Sequence, residues 1–102
     1  MPEFGSPFSG IALDKKLTES ELIRAIRFMV AAEYEAIQLY MQLAESTDNK
    51  LAIDVLKDIA DEERVHAGEF LRLLRELAPD EEKLYIEGAQ EVEEEIDKMQ
   101  KG

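Results

Sequence analysis

The chain has 102 residues, no cysteine and a formal charge of -12, from 24 acidic and 12 basic side chains. Its length allows one small domain with a marginal core, and the lack of cysteine excludes disulfides, zinc-thiolate sites and iron-sulfur clusters from these residues. The charge disfavours nucleic acid and anionic membranes, and no apolar run approaches the roughly 20 residues that span a bilayer, so we expect a cytoplasmic protein.

Residues 1–16 are predicted to be a disordered N-terminal segment. The first ten residues, "MPEFGSPFSG", are interrupted by proline and glycine and show no apolar period. The stretch "EFGS" looks like a cloning remnant, which we exclude from the fold. The folded domain is therefore expected over residues 17–99, with a short tail at 100–102.

The first helix is predicted from Thr18 to about Glu45. In "TESE", Glu21 follows Thr18 by three residues, the spacing at which the two side chains cap a helix start. Apolar residues then recur every three or four positions, without proline or glycine, until the turn residues of "STDN". This stripe comprises Leu22, Ile26, Met29, Ala36, Ile37, Tyr40, Leu43 and Ala44.

A second helix is predicted from about Lys50 to Leu77, ended by Pro79. Its stripe comprises Ala52, Val55, Leu56, Ile59, Phe70, Leu73, Leu74 and Leu77. Beyond Pro79 a shorter, strongly acidic third helix is predicted, with an apolar stripe of Leu84, Val92, Ile96 and Met99. We interpret this third helix as an interaction or oligomer-packing segment.

The sequence therefore predicts an all-α fold, an antiparallel two-helix hairpin plus a shorter C-terminal helix. The turn between the long helices is too short for a crossover, so they must run antiparallel. A hairpin buries only half of each stripe. A second copy packing face to face would complete a four-helix bundle by dimerisation.

Three polar side chains interrupt the apolar stripes. Glu33 lies on the first helix between Met29 and Ala36, and Glu63 and His66 lie one turn apart on the second. A buried carboxylate needs a positive partner, and Arg27, Lys57 and Arg64 lie off the stripes. Two carboxylates and an imidazole suit iron, manganese or zinc. Because a two-metal carboxylate site needs two glutamates and two Glu-x-x-His pairs, a twofold dimer would complete it.

Other side chains near this group are open to two interpretations. Tyr40 is either a packing residue or a hydrogen-bond donor to a ligand, one to two turns from Glu33. Glu35 and Glu62 lie beside the stripes, where they are either solvated or guide cations inward as a secondary entry site. A Glu-x-x-His pair alone is common and is weak evidence of metal binding. The metal prediction therefore rests on the placement of this pair within the apolar stripe.

The stretches "AAEYEAIQLY" and "ADEERVHAGEFLRLL" resemble the ferritin-like superfamily, and specifically the encapsulated ferritins, over about Leu17 to Met99. The resemblance implies a ferroxidase with a di-iron centre shared between two subunits, in dimers that form a ring of ten chains. It implies Glu33, Glu63 and His66 as iron ligands and Tyr40 beside them. Relative to the family pattern, Ala32 replaces an acidic residue that accompanies Glu35, and Leu39 replaces a tryptophan.

The resemblance also implies iron storage inside an encapsulin nanocompartment, with the shell protein as a partner. "DKMQKG" at the end shows no targeting peptide. Two further functions remain open. One is a rubrerythrin-like peroxidase, although the Cys-x-x-Cys pairs of such enzymes are absent. The other is a metal-free helical adaptor or oligomerisation module whose third helix binds a partner.

Overall fold

The computed structural model describes residues 14–102 and contains three α-helices and no strand in that range, which confirms the all-α prediction. Helix α1 spans Glu19–Glu45, α2 spans Lys50–Leu77 and α3 spans Pro79–Lys101. The segment predicted to be disordered lies largely outside the described residues. Helix α3 ends with Lys98 and Lys101 in its last turn, where basic side chains complement the helix dipole.

Helix α1 begins with the predicted capping box. The Thr18 hydroxyl accepts a hydrogen bond from the Glu21 amide at 3.2 Å, and the Thr18 amide donates to the Glu21 carboxylate at 2.8 Å. This bond from the Thr18 backbone amide lowers the pKa of Glu21, because it stabilises the ionised carboxylate. Two of the free amides at the helix start are thereby satisfied.

Helix α2 begins one short turn after α1 ends. The Asn49 side-chain oxygen accepts a hydrogen bond from the Ala52 amide at 3.0 Å, and the Thr47 hydroxyl accepts one from the Asn49 amide at 3.2 Å. Ser46 closes α1 by donating to the Gln42 carbonyl at 2.7 Å. These local bonds fix the reversal of the chain, and α1 and α2 pack against each other as an antiparallel hairpin.

The core of the hairpin is narrow. Among the described residues its buried members are Ile26, Ala44, Ala60, Ala67 and Leu74. Three of these five are alanines, and such small side chains let two helices approach closely. Much of each apolar stripe stays uncovered, with Leu43 56% exposed on α1 and Leu73 42% exposed on α2. The hairpin therefore covers only part of the apolar surface that its sequence provides.

Helix α3 starts at the proline that ends α2. Pro79 occupies the first turn of α3, where its missing amide hydrogen would have no helical partner and its fixed φ favours the helix. Three acidic residues follow in that turn, Asp80, Glu81 and Glu82, and they complement the positive end of the helix dipole. One proline thus separates two helices that share only Ala78 as a linker.

The start of α3 is tied to the hairpin by two ion pairs. Arg27 of α1 pairs with Glu81, and Arg75 of α2 lies 3.7 Å from Glu82. The Tyr85 hydroxyl also donates to Glu81 at 2.5 Å, and this bond raises the pKa of Tyr85 because it stabilises the neutral phenol. No residue of α3 is buried. Within residues 14–102, no helix is apolar over a stretch long enough to cross a bilayer.

Candidate metal centre

The structure brings Glu33, Glu63 and His66 together at the middle of the hairpin. Glu33 comes from α1, and Glu63 and His66 come from successive turns of α2. One ligand atom from each side chain lies within 4.8 Å of the other two. The i and i+3 spacing on α2 places its two side chains on one face, and the antiparallel packing brings Glu33 opposite them.

The three side chains surround a common point without bonding to one another. His66 Nδ1 lies 3.7 Å from a Glu63 oxygen and 3.8 Å from a Glu33 oxygen. Both distances exceed the 2.7–3.2 Å typical of hydrogen bonds to nitrogen. Atoms that each bind a shared ion at about 2 Å lie roughly 3 to 4 Å apart. The two distances from His66 fall within this range, and the three candidate ligand atoms lie within 4.8 Å of one another.

Glu33 shows most clearly that a positive partner is needed. Its Oε2 atom is buried and has no hydrogen-bond partner within the described residues. The Glu33 side chain is only 17% exposed and that of Glu63 20%, so two carboxylates sit close together with little water around them. Leaving such charges unneutralised costs several kcal/mol. A bound divalent cation would remove this penalty.

Two nearby basic side chains, Arg27 and Arg64, are engaged elsewhere, as their positions off the stripes indicated. Arg27 pairs with Glu81, and Arg64 lies 2.7 Å from Asp61 on the outer side of α2. In this part of the chain, the basic group that faces the two carboxylates is the His66 imidazole. That group also supplies a metal-binding nitrogen.

His66 is less buried than its place in the apolar stripe suggests. Its side chain is 50% exposed. The stripe of α2 is wider than the surface that α1 covers, and His66 lies on the uncovered side of that boundary. The two carboxylates lie on the covered side, so the group has one closed side and one open side.

The donor set fits a transition metal. Two carboxylates with one imidazole suit iron, manganese or zinc, whereas calcium and magnesium prefer oxygen ligands alone. Three protein ligands leave coordination positions open, as reactive metal sites require. The same three side chains are half of the set that di-iron helical bundles use, namely two glutamates and two Glu-x-x-His pairs.

A cleft of about 290 Å³ opens beside the group and is lined by Glu33, His66, Glu69 and Phe70. Sequence reasoning singled out Phe70 as a packing residue and missed Glu69. The spacing of Glu69 could have identified it as a site residue, because Glu69 follows His66 by three residues, just as His66 follows Glu63. A third polar residue on successive turns therefore extends the site toward solvent.

The other predicted site residues are not part of this group of ligands. Tyr40 is half-buried on α1, two turns after Glu33, and its hydroxyl makes no hydrogen bond to another described residue. Glu35 is half-buried and engaged with a neighbour, and Glu62 is exposed. The group of potential ligands found within residues 14–102 contains neither glutamate. Their roles stay predictions.

Comparison with known proteins places the chain in a family. Residues 25–101 match the family model described as Rubrerythrin. The fold matches the crystal structure of the encapsulated ferritin domain from Pyrococcus furiosus with a TM-score of 0.81 and 35% sequence identity. That match covers 90% of this chain and 94% of the other.

Two curated relatives show a similar level of identity. One is the ferritin-like-encapsulin shell fusion protein of Pyrococcus furiosus, 38% identical over 81 residues, which cover 79% of this chain and 24% of that protein. The other is the encapsulin nanocompartment cargo protein EncC of Myxococcus xanthus, 40% identical over 76 residues, which cover 74% of this chain and 58% of that protein. The aligned part is thus about a quarter of one relative and over half of the other. The chain belongs to the Rubrerythrin family and, within the ferritin-like fold, to the encapsulated ferritins.

Proposed function

We propose that the chain is a ferroxidase, which oxidises Fe(II) to Fe(III) at a di-iron carboxylate centre shared between two subunits. The observation that carries this proposal is the group of Glu33, Glu63 and His66, with a buried carboxylate oxygen that lacks a partner and an open side toward solvent. Iron is here the substrate, and ferritin-like domains in general bind it.

Charge balance supports a centre with two chains and two irons. Each chain brings two carboxylates, so a twofold dimer brings four, and two Fe(II) ions carry four positive charges. Pairing of the open sides would also cover the exposed parts of the α1 and α2 stripes. The resulting four-helix bundle would hold two glutamates and two Glu-x-x-His pairs.

In this proposal the residues hold the two irons close enough to share one oxidant. Each Fe(II) gives up one electron, so one dioxygen takes up two electrons and two protons and leaves as hydrogen peroxide. Glu63, paired with His66 on one face of α2, would bridge the irons, and Glu33 would bind one iron. Hard carboxylate oxygens favour the ferric product because of its higher charge. Tyr40 would orient a ligand through its hydroxyl.

The test is iron oxidation by the apo protein. Fe(II) is added without oxygen, air is then admitted, and ferric absorbance is followed with time. Glu63→Ala and His66→Ala should each lower the rate at least about 100-fold, because each removes an iron ligand from both halves of the centre. Glu76→Ala is the matched control, since Glu76 lies on α2 and pairs with Arg72 at 3.1 Å. Ferric absorbance that grows equally in all variants would defeat the proposal.

The iron-oxidation experiment separates the ferroxidase from a metal-free adaptor, and a hydrogen peroxide assay separates it from a peroxidase. A metal-free adaptor would give the same growth of ferric absorbance after Fe(II) and air as a protein-free solution. A peroxidase would consume hydrogen peroxide rapidly when a reductant is supplied, whereas the ferroxidase stops when Fe(II) is exhausted. The unpartnered oxygen of Glu33 favours a metal-binding function over the adaptor.

We also propose that the chain works in the cytoplasm inside an encapsulin shell, as a dimer that assembles into a larger ring. Two relatives named for encapsulin support this proposal. Because Fe(II) would neutralise the carboxylates that face each other, iron should promote assembly. Sedimentation with and without Fe(II) tests this, and an unchanged mass would contradict it. Copurification with a coexpressed encapsulin shell tests the partner.

A further inference from the structure

We propose that Glu69 positions His66 for metal binding by accepting a hydrogen bond from the second ring nitrogen, Nε2. The inference deepens the proposed function and rests on it. Glu69 would be a positioning residue, since it would act on the metal only through His66.

The orientation of the imidazole creates the need for such an acceptor. Nδ1 is the nitrogen that faces the two carboxylates, at 3.7 Å and 3.8 Å. When Nδ1 binds a metal, Nε2 must carry the proton, and that nitrogen points to the other side of the ring. Metal-binding histidines almost always donate this second N–H to a carboxylate, a carbonyl or water. At 50% exposure, the His66 ring is not held in place by packing alone.

Glu69 is placed to meet this need. It follows His66 by one turn of α2, a spacing that brings side chains within reach on the helix surface. Both residues line the same cleft. Glu69 makes no hydrogen bond or ion pair with another described residue, so its carboxylate can turn toward the imidazole. A negative acceptor would also raise the affinity of Nδ1 for a cation.

Glu62 is the competing acceptor, because it precedes His66 by four residues and so lies one turn away in the other direction. Both glutamates are exposed, but Glu69 lines the cleft and Glu62 does not. The cleft geometry therefore favours Glu69. The two glutamates are readily separated by substitution.

The experiment measures Zn(II) affinity of the full chain by competition with a coloured chelator. Glu69→Leu should weaken binding about 10-fold, the lower end of the usual cost of losing such a partner. Glu69→Gln keeps a neutral acceptor and should stay within about threefold of wild type. Glu76→Leu is the control, because Glu76 lines a second groove of α2 together with Glu69 but does not line the cleft.

Several results would overturn the inference. Wild-type affinity in Glu69→Leu, or an equal loss in Glu62→Leu, would show that Glu69 is not the acceptor. If Glu69→Gln loses as much as Glu69→Leu, the carboxylate acts by its charge or as a ligand. A lower melting temperature of metal-free Glu69→Leu would point to a structural role. Zn(II) binding in wild type with no effect of Glu69→Leu defeats this inference alone, whereas no Zn(II) binding in wild type defeats the proposed function as well.

Discussion

All three helices carry an apolar stripe, but the stripes of the α1–α2 hairpin are partly buried in the monomer and that of α3 is not. The hairpin buries Ile26, Ala44, Ala60, Ala67 and Leu74 between its helices, whereas no residue of α3 is buried. Glu33 and Glu63 lie at the edge of the covered surface of the hairpin, and His66 lies just outside it. At this boundary, packing holds the two carboxylates while the imidazole stays accessible to an ion or a partner. The stripe of α3 contains no comparable group.

The largest expected effect is on dimerisation, and it is tested by placing one charge on the stripe of α2 or on that of α3. Leu73 on α2 and Ile96 on α3 are equally accessible, at 42% and 40% exposure, and are matched targets. Leu73 follows His66 by two turns and so lies on the open side of the site. Leu73→Lys should weaken dimerisation at least about 100-fold, about 2.7 kcal/mol, because it would bury an unpaired charge.

Sedimentation equilibrium measures this loss, and iron oxidation should fall with it because the proposed centre needs both chains. Ile96→Lys should leave dimers and iron oxidation intact and reduce only the larger assembly. If Ile96→Lys abolishes iron oxidation as fully as Leu73→Lys, α3 takes part in the centre and the contrast between the two stripes fails.

Glu33 offers a second comparison, because under the proposed function its carboxylate would bind the metal while destabilising the metal-free fold. Glu33→Leu removes a buried oxygen without a partner and should raise the stability of the metal-free protein by about 1–2 kcal/mol. For a chain of this size that corresponds to a rise in melting temperature of several degrees. The same variant should lose the stabilisation that Zn(II) gives the wild type.

Thermal unfolding with and without Zn(II) measures both effects. Glu35 is the control on the same helix, because it is half-buried but already has a partner. Glu35→Leu should therefore not stabilise the metal-free protein. A lower melting temperature for metal-free Glu33→Leu would mean that Glu33 does not destabilise the metal-free protein.

The sequence was most informative where local bonds decide the structure. Thr18, Asn49 and Pro79 predict the helix limits, because each cap or break depends on neighbours within about four residues. The grouping of Glu33 with Glu63 and His66 was also predictable, because an antiparallel hairpin with a four-residue turn allows few registers.

Features that depend on angles between helices were beyond the sequence. The pairing of Arg27 with Glu81 follows from the direction in which α3 leaves Ala78, and no local pattern encodes that direction. The exposure of His66 depends on how far α1 covers the face of α2. The inclusion of Glu69 in the cleft needs the same information, although its spacing from His66 was a usable hint.

A smaller effect on the free energy of unfolding is expected from the cap at the start of the hairpin. α1 begins with a side-chain cap, whereas α3 has none. Thr18→Ala should lower the free energy of unfolding by about 1 kcal/mol at neutral pH, the usual cost of losing a threonine cap. Chemical denaturation measures this. The corresponding change at Ser20, one residue into the helix, is the control and should have a smaller effect.

The partner in this cap gives the prediction a pH dependence. The pKa of Glu21 is lowered in the folded protein, so its contribution to stability is present above the ordinary value of 4.5 and is lost as pH falls through the folded value. The stability difference between wild type and Glu21→Ala should therefore shrink in acid. A difference that grows below that pH would contradict the capping box.

The smallest expected effect concerns the contact that orients α3, since Arg27 and Glu81 are 45% and 28% exposed and such pairs contribute at most about 1 kcal/mol. Tyr85 reports on this contact spectroscopically. Its pKa is raised first by the hydrogen bond to Glu81 and is opposed by the charge of Arg27. Glu81→Gln should therefore lower the pH at which Tyr85 ionises, and Arg27→Ala should raise it. Alkaline absorbance titration, with Tyr85→Phe subtracted to isolate this phenol, measures both shifts.

The raised pKa of Tyr85 also predicts how the stability of the start of α3 depends on pH. A raised folded pKa means that the tyrosine hydrogen bond stabilises the start of α3 below the ordinary value of 10.0 and that this contribution is lost as pH rises through the folded value. Because α3 buries no residue, its loss of orientation should leave the melting temperature of the hairpin nearly unchanged. Shifts of the same sign in Glu81→Gln and Arg27→Ala would show that Tyr85 does not sense the pair, and α3 would then be oriented by Arg75 and Glu82 alone.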